Sequence, residues 1–298
     1  LVMVILVFLK KLNKSTFMTH TIKFKKINNK SLKFFKKNGF LYIKNFYKKN
    51  QILNCKKEIF NLLQIFLDKN NLKVKKNYFS NKNFDNGLLL LTKNKRQSAG
   101  IFYDVLKKLP SLVSLATDKK VFSFSKKILE TNFVGFANNS WGFRLDHPTE
   151  KKYLTNLHQE IVTQLTSMKG LVFWTPFQKC LKKMGPPIFY PNSHKFGIYK
   201  LKKNKKVSYG FSIKNEKLLE KKFTPHQVSV DEGDCLIMDY LLLHKSAFNK
   251  SNKTRRILSY MYTVKYMPDW TKFNLNYSEE YMKKSPRKVK KLIKLKTD

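Results

Sequence analysis

The sequence lacks the features that define disulfide-rich scaffolds and membrane proteins. Its cysteines, Cys55, Cys180 and Cys235, form an odd set without close spacing, so neither a disulfide framework nor a zinc site is expected, and a reducing, cytoplasmic location fits best. The apolar run over residues 1–9 is too short to span a bilayer, and its basic neighbours follow it instead of preceding it as in a signal peptide. We therefore expect no transmembrane span.

Acidic residues are few and arginine is scarce. Lys and Arg number 61 against 19 Asp and Glu, for a formal charge of +42, and nearly all of the positive charge is lysine spread from end to end. A basic chain can attract nucleic acid or anionic membrane. However, Lys, Asn, Phe and Ile are all abundant and all have A/T-rich codons, so we interpret the charge as genome composition on solvated faces. A nucleic-acid partner is not expected.

The organisation predicted from composition is a single large domain. At 298 residues and 42% hydrophobic residues the chain can bury a sizeable core. We assign residues 18–278 to this domain and residues 279–298 to a basic C-terminal tail. Residues 1–17 stay unassigned, because Met3 and Met18 make an over-extended reading frame one interpretation of the start. Nothing in the sequence indicates the oligomeric state.

Helical periodicity is concentrated between residues 51 and 131. Apolar residues recur at helical spacing over 51–68, and helical character returns from about 100 with Pro110 as a break. Between them we expect loops around a short apolar run. Residues 21–46 show short alternating stretches that favour strands.

The second half changes to short segments rich in β-branched and aromatic residues, which favour strands. Helices followed by many strands predict helices buttressing an antiparallel barrel, with a β core over about 132–266. The Lys-dense segment 200–222 is expected to be a mobile loop. The predicted strands are residues 132–137, 141–145, 153–161, 168–177, 187–191, 227–230, 234–239, 243–247 and 256–266.

The candidate metal ligands come from the histidines. Among the six histidines, His158 has a carboxylate two residues later, in His158-Gln159-Glu160. Side chains alternate on a strand, so His158 and Glu160 would project to one face. With a distant histidine they would form a 2-His-1-carboxylate triad, which leaves positions on iron(II) for a 2-oxo acid and dioxygen.

His244 is the best third ligand, because Arg255 follows it at the start of the next predicted strand. The planar fork of arginine suits the distal carboxylate of a 2-oxo acid. In a chain that uses lysine for nearly every positive charge, an arginine here is informative. His194 and His226 have no arginine at a similar distance.

Less specific interpretations of these residues remain open. His244 could be a core histidine bonded to backbone, the Arg255-Arg256 pair a solvated strand end, and Glu160 the partner of a lysine.

Several ordered blocks resemble the phytanoyl-CoA dioxygenase family of iron(II)/2-oxoglutarate oxygenases. Each block alone is weak, but their order is specific and they cover most of the chain. The resemblance implies a mainly β fold with flanking helices, built on a double-stranded β-helix of the jelly-roll or cupin type. The blocks are residues 38–46, His158-Gln159-Glu160, residues 172–177, residues 185–195, and His244-Lys245-Ser246 with Asn249, Ser251 and Arg255.

The resemblance also implies roles for individual residues. The three candidate ligands would bind iron(II), with 2-oxoglutarate and dioxygen as cosubstrates. Arg255 would anchor the distal carboxylate of 2-oxoglutarate, and Ser246 and Trp174 would be further cosubstrate contacts. No catalytic residue is implied beyond the metal site.

Three positions depart from the family pattern. Glu160 stands where the family usually has Asp; its carboxylate still reaches a metal and favours hydroxylation over halogenation. Met184 replaces a customary Asn and Asn192 a Gly, both in a loop.

We predict from these residues a dioxygenase that hydroxylates a C–H bond of a small molecule and releases succinate and carbon dioxide. One alternative is a nucleic-acid-directed oxygenase of the same metal type, motivated by the charge; another is a non-catalytic β-helix module without iron. The substrate is not identified. Arg144 could meet an anionic substrate, although an ion pair with Asp146 is the interpretation we favour, and segment 200–222 could cover the site.

Overall fold

The structure is a computed structural model in which helices cover more residues than strands, so the described chain is mixed helix and sheet and not mainly β. The assignments of residues 1–17 and 279–298 lie outside the described part. The structure describes residues 22–75, 77–136, 142–148, 154–161, 167, 169–204, 211–252 and 254–264.

The helices lie largely in the first half of the chain, as expected. Helix α2 coincides with the predicted periodic segment, and Pro110 occupies the first turn of α5, where its missing N–H costs no hydrogen bond. The helices are α1 (Asn29–Asn38), α2 (Lys49–Lys69), α3 (Leu88–Asn94), α4 (Arg96–Leu106), α5 (Pro110–Ala116), α6 (Lys119–Leu129) and α7 (Glu216–Lys222).

Two helices lie in stretches for which the sequence predicted strands or loops. Helix α1 occupies a stretch expected to form strands; Asn28 and Ser31 cap each other's backbone N–H groups, and Gly39 ends the helix at φ 78°. The apolar run expected within loops is helix α3, with Leu88 and Leu91 buried. Helix α1 is stabilised by these caps, and helix α3 by the burial of its leucines, more than by periodicity.

The strands form one large sheet and a smaller second layer. The large sheet has the order β1–β2–β9–β5–β11–β3, and β4 pairs with β11 as well. The strands are β1 (Lys23–Phe24), β2 (Phe40–Ile43), β3 (Val134–Phe136), β4 (Gly142–Asp146), β5 (Gly170–Pro176), β6 (Ile188–Phe189), β7 (Leu201–Lys203), β8 (Phe211–Ile213), β9 (Cys235–Asp239), β10 (His244–Lys245) and β11 (Arg255–Val264).

The second layer is built from very short pairings. Strand β10 pairs with β6, and single antiparallel bridges add His158 beside His244 and His226 beside Phe189. The predicted strands 153–161 and 227–230 are therefore wrong as regular strands. A single pair of hydrogen-bonded residues is enough to place a side chain, but it leaves no periodic stretch of strand.

The two faces of the large sheet pack against different partners. Along β2, β5 and β9, alternate residues such as Leu41, Phe173 and Ile237 face the helices, while Tyr42, Trp174 and Leu236 face the second layer. Both sets are buried. The sheet is covered on both sides, which explains why its strands read as continuous apolar runs.

The Lys-dense segment, expected to be a mobile loop, contains ordered elements. Strands β7 and β8 pair as an antiparallel arm, and α7 follows. Ile213 and Phe223 pack with Leu157, Tyr190 and Leu243, which lie beside the short pairings of the second layer, in a small apolar cluster. Among the described residues, no helix is both long and apolar enough to cross a membrane.

Candidate metal centre

Three side chains converge between the two layers. The Oε2 atom of Glu160 lies 3.6 Å from Nε2 of His158 and 3.5 Å from Nε2 of His244, and the two imidazole rings are 4.1 Å apart. One ligand atom from each residue falls within 4.8 Å of the others. The three residues singled out in the sequence therefore do lie together.

The backbone holds the two histidines side by side. His158 and His244 exchange both backbone hydrogen bonds, at 2.9 Å and 3.0 Å, as a single antiparallel bridge. Glu160 lies in a turn just after this bridge and not on a strand. The two-residue spacing brings Glu160 to the same site by another route than the one we expected.

Each histidine is oriented by a backbone carbonyl. Nδ1 of His158 lies 2.8 Å from the carbonyl of Asn156, and Nδ1 of His244 lies 2.9 Å from that of Leu242. Because a carbonyl only accepts hydrogen bonds, both Nδ1 atoms must carry the proton. The Nε2 lone pairs of both rings therefore point at the Glu160 carboxylate.

The protonation states suit a metal centre. Glu160 and His244 are each 6% exposed. Burial alone would raise the pKa of Glu160, but the adjacent imidazoles of His158 and His244 outweigh burial and hold that pKa far below its usual range, so the carboxylate is ionised. Burial is the main cause that lowers the pKa of His244 and favours its neutral form.

This donor set fits a divalent cation. Two imidazole lone pairs and a carboxylate that face one another repel unless a positive charge lies between them. Two nitrogen donors and one oxygen donor suit iron(II), and three ligands leave half of an octahedral shell for other molecules. The carbonyls behind each Nδ1 give the outer support that metal-bound histidines usually have.

The candidate centre opens into a cavity of about 360 Å³. Its floor is the inward face of the large sheet, where Val172, Trp174, Met238 and Ile257 supply apolar wall. A methyl group at Gly142 would make ordinary van der Waals contact with Lys107, at 3.6 Å or more. The cavity therefore has room for a small molecule beside the three ligands.

Arg255 lies in this cavity as part of an ion-pair network. Its Nη2 and Nε atoms lie 2.8 Å and 3.2 Å from Oδ2 of Asp146, while Nη2 of Arg144 binds Oδ1 of Asp146 at 2.9 Å. Both arginines line the cavity, and the two guanidinium charges lower the pKa of Asp146 although burial opposes them. The favoured Arg144–Asp146 ion pair is present.

The remaining predicted positions divide between the cavity and its surroundings. Trp174 and Ser246 both line the cavity, Trp174 at 4% exposure. His194 packs instead against Gly39, with its Nε2 3.1 Å from the carbonyl of Lys36.

Three positions in and around the cavity follow from the structure. Tyr103 in α4 and Lys107 just after it line the cavity, far from any motif, and they reach it because α4 packs against β4. Asp146, which the sequence suggested as a partner of Arg144, also pairs with Arg255 through the register of β4 against β11. A single sequence does not show that register.

Solved structures of low sequence identity share this fold. The epimerase SnoN in complex with Fe3+, alpha ketoglutarate and nogalamycin RO has a TM-score of 0.57 at 14% identity, covering 78% of this chain and 82% of that one. The carbocyclase SnoK from nogalamycin biosynthesis has a TM-score of 0.53 at 11% identity over 82% and 87% of the two chains. EctD from S. alaskensis in its apoform has a TM-score of 0.53 at 14% identity over 83% and 82%.

Comparison with sequence-family models identifies the family, which the solved structures of low identity do not. No curated protein is similar enough in sequence to count as a match. The model of the Phytanoyl-CoA dioxygenase (PhyH) family matches residues 35–257, which includes all three candidate ligands and Arg255. The chain belongs to the phytanoyl-CoA dioxygenase family.

Proposed function

We propose that this protein is an iron(II)- and 2-oxoglutarate-dependent dioxygenase that hydroxylates a C–H bond of a small molecule. The observation that carries the proposal is the convergence of His158, Glu160 and His244, with ligand atoms within 4.8 Å, in a cavity that Arg255 also lines. Family membership and the cofactors named for the SnoN structure support the same function.

The strand order supports a double-stranded β-helix as the core. In the large layer β4, β11, β5 and β9 are neighbours, and in the small layer the order is the His158 segment, β10, β6 and the His226 segment. From β4 to β6, and again from the His226 segment to β11, consecutive segments alternate between the layers. This interleaving is what two antiparallel sheets wound from one chain require.

Each residue of the site would have one task. His158 and His244 would bind the iron through Nε2, with Nδ1–H held by backbone carbonyls, and Glu160 would supply the negative ligand. Arg255 would bind the distal carboxylate of 2-oxoglutarate, with Ser246 and Trp174 as further contacts to that cosubstrate. When bound, iron(II) and 2-oxoglutarate activate dioxygen and release succinate and carbon dioxide as a C–H bond is oxidised.

The cavity favours a small molecule over a nucleic acid as substrate. Its volume of about 360 Å³ lies at the small end of ligand pockets, and its floor is apolar. The apolar floor would hold the C–H bond beside the metal and exclude water from it.

The test begins with metal binding and cosubstrate turnover. Purified protein should bind one iron(II), and anaerobic addition of 2-oxoglutarate should produce a visible charge-transfer band. Succinate release should fall by at least about a hundredfold in His158→Ala and Arg255→Ala, because a metal ligand and the carboxylate anchor are lost. Mass analysis of stimulated substrates would then separate addition of one oxygen from other outcomes.

His194→Ala is the matched control, because this histidine lies outside the cavity and should leave turnover unchanged. Full succinate release by His158→Ala, or a wild-type protein that binds no iron(II), would refute the proposal.

A further inference from the structure

One carboxylate beside the cavity binds two arginines that line it. Asp146 lies opposite Arg255 in the register of β4 and β11, and Arg144 lies two residues before it on β4. Gly142, Arg144 and Asp146 alternate with buried Phe143 and Leu145, so they share one face of β4, and Gly142 and Arg144 on this face line the cavity.

The two oxygens of Asp146 are divided between the two guanidinium groups. Oδ2 accepts from Nε and Nη2 of Arg255, and Oδ1 accepts from Nη2 of Arg144. The Asp146 backbone is held as well, because its carbonyl accepts from Nδ2 of Asn249 at 3.1 Å. The carboxylate is therefore fixed in both position and orientation.

This arrangement sets which side of Arg255 can bind an anion. With the Nε–Nη2 edge on Asp146, a second carboxylate can approach only at the end of the fork, through Nη1 and the remaining N–H of Nη2. Arg255 is 4% exposed, so its guanidinium group has little water to turn toward. Without Asp146 that group would rotate toward other acceptors.

The two arginines that bind Asp146 differ in exposure. The side chain of Arg144 is 40% exposed and can be solvated, whereas that of Arg255 is 4% exposed. Buried charges are costly unless they are paired. An anion at the end of the Arg255 fork would therefore meet a positive charge that water solvates poorly.

We propose that Asp146 is a positioning residue, which holds Arg255 so that the end of its guanidinium group receives the distal carboxylate of 2-oxoglutarate. This inference rests on the proposed function. It assigns to Asp146 a role in cosubstrate selection, acting through Arg255 and not through the metal.

The experiment compares two 2-oxo acids that differ in the distal carboxylate. The charge-transfer band of the iron(II)-loaded protein is titrated anaerobically with 2-oxoglutarate and with 2-oxobutyrate, for wild type and Asp146→Asn. We expect the variant to bind 2-oxoglutarate about tenfold more weakly, as is typical when an outer support of a site is lost. Binding of 2-oxobutyrate and of iron(II) alone should not change, because neither uses Arg255.

A merely structural role would give a different pattern. It would lower the melting temperature or the fraction of active protein without changing the preference between the two acids. Glu130→Gln is the matched control, because it removes an exposed carboxylate paired with Lys36, neither residue lines the cavity, and both titrations should stay as in wild type. Should Asp146→Asn not fold, Asp146→Glu keeps the charge but displaces it, and the same selective loss is expected.

Two results separate this inference from the proposed function. If wild type shows no band with 2-oxoglutarate, the proposed function fails. If wild type binds it but the Asp146 variants bind it equally well or more tightly, Asp146 acts as no more than a competing counter-ion and the positioning role is wrong.

Discussion

Arg255 and Arg256 are neighbours on β11, yet they serve opposite faces of the large sheet. Arg256 faces the helices, where it binds Asp85 and Gln178 and lies 5.1 Å from the centre of the Phe84 ring. Arg255 faces the cavity, where one edge of its guanidinium group binds Asp146. Because side chains alternate along a strand, Arg256 is bound by several protein groups on one face, whereas Arg255 lines the cavity on the other.

The helix-facing side repeats this pattern with a lysine. Lys56 is 1% exposed, and its ammonium group contacts Asn81 at 2.7 Å and Glu232 at 2.9 Å. Burial lowers the pKa of Lys56 despite these partners. The difference between the faces is that charges on the helix side are matched by fixed protein groups, whereas those on the cavity side leave room for a ligand.

Among the substitutions that test this comparison, Arg256→Ala is expected to lower the stability most. Asp85 would remain buried without its cation, which should lower the free energy of unfolding by about 3 kcal/mol. Affinity for 2-oxoglutarate in the folded protein should stay as in wild type. Urea denaturation and cosubstrate titration of the same preparation measure both quantities.

Arg255→Ala should show the reverse pattern, since Asp146 keeps Arg144 as a partner. Its cosubstrate affinity should fall much more than its stability. Equal losses of stability and affinity in both variants would mean that Arg256 does not act mainly on stability and Arg255 does not act mainly on cosubstrate binding.

The same comparison shows what the sequence could reveal about the site. The ligands could be predicted because His158-Gln159-Glu160 and the pair His244 and Arg255 are short patterns whose chemistry is visible in residue types. Asp146 could not, because its importance arises from the pairing of β4 with β11, two strands far apart in the chain. A register between distant strands has no local signal.

The fold was predictable to a similar degree. Helix α2 and strands β5, β9 and β11 follow long periodic or apolar runs. Helix α1, the β7–β8 arm and the His158 bridge are short, and their stability comes from caps and tertiary contacts that a local pattern does not contain.

A smaller difference in stability is expected between alanine substitutions at two glycines that both lie on the face of the sheet toward the second layer. A methyl group at Gly170 would lie 2.4 Å from two ring atoms of Tyr240, which is fully buried, so Gly170→Ala should lower the free energy of unfolding by about 2 kcal/mol. At Gly142 the nearest atom would be 3.6 Å away, so Gly142→Ala should not destabilise the protein. Urea denaturation of both variants checks this, and equal destabilisation would show that the floor beside Gly142 is packed and not open.

The smallest effect concerns Asp239, the exception on the helix-facing side. It pairs with Leu171 at the end of β9, and among the described residues no lysine or arginine lies within ion-pair distance. Burial raises the pKa of its carboxyl group to about 6, although the N–H of Leu241 donates to it at 2.8 Å.

The sign of the resulting pH dependence follows from the two pKa values. Between the usual 3.8 and about 6 the folded protein keeps a proton that the unfolded chain has lost, so the free energy of unfolding falls as pH rises through this window and is level above it. Asparagine cannot ionise but can still accept from Leu241. Asp239→Asn should therefore lack this fall, so its stability relative to wild type should rise across the window and stay higher above it. Urea denaturation across the window measures the difference, and parallel pH profiles of both proteins would show that a cation does neutralise Asp239.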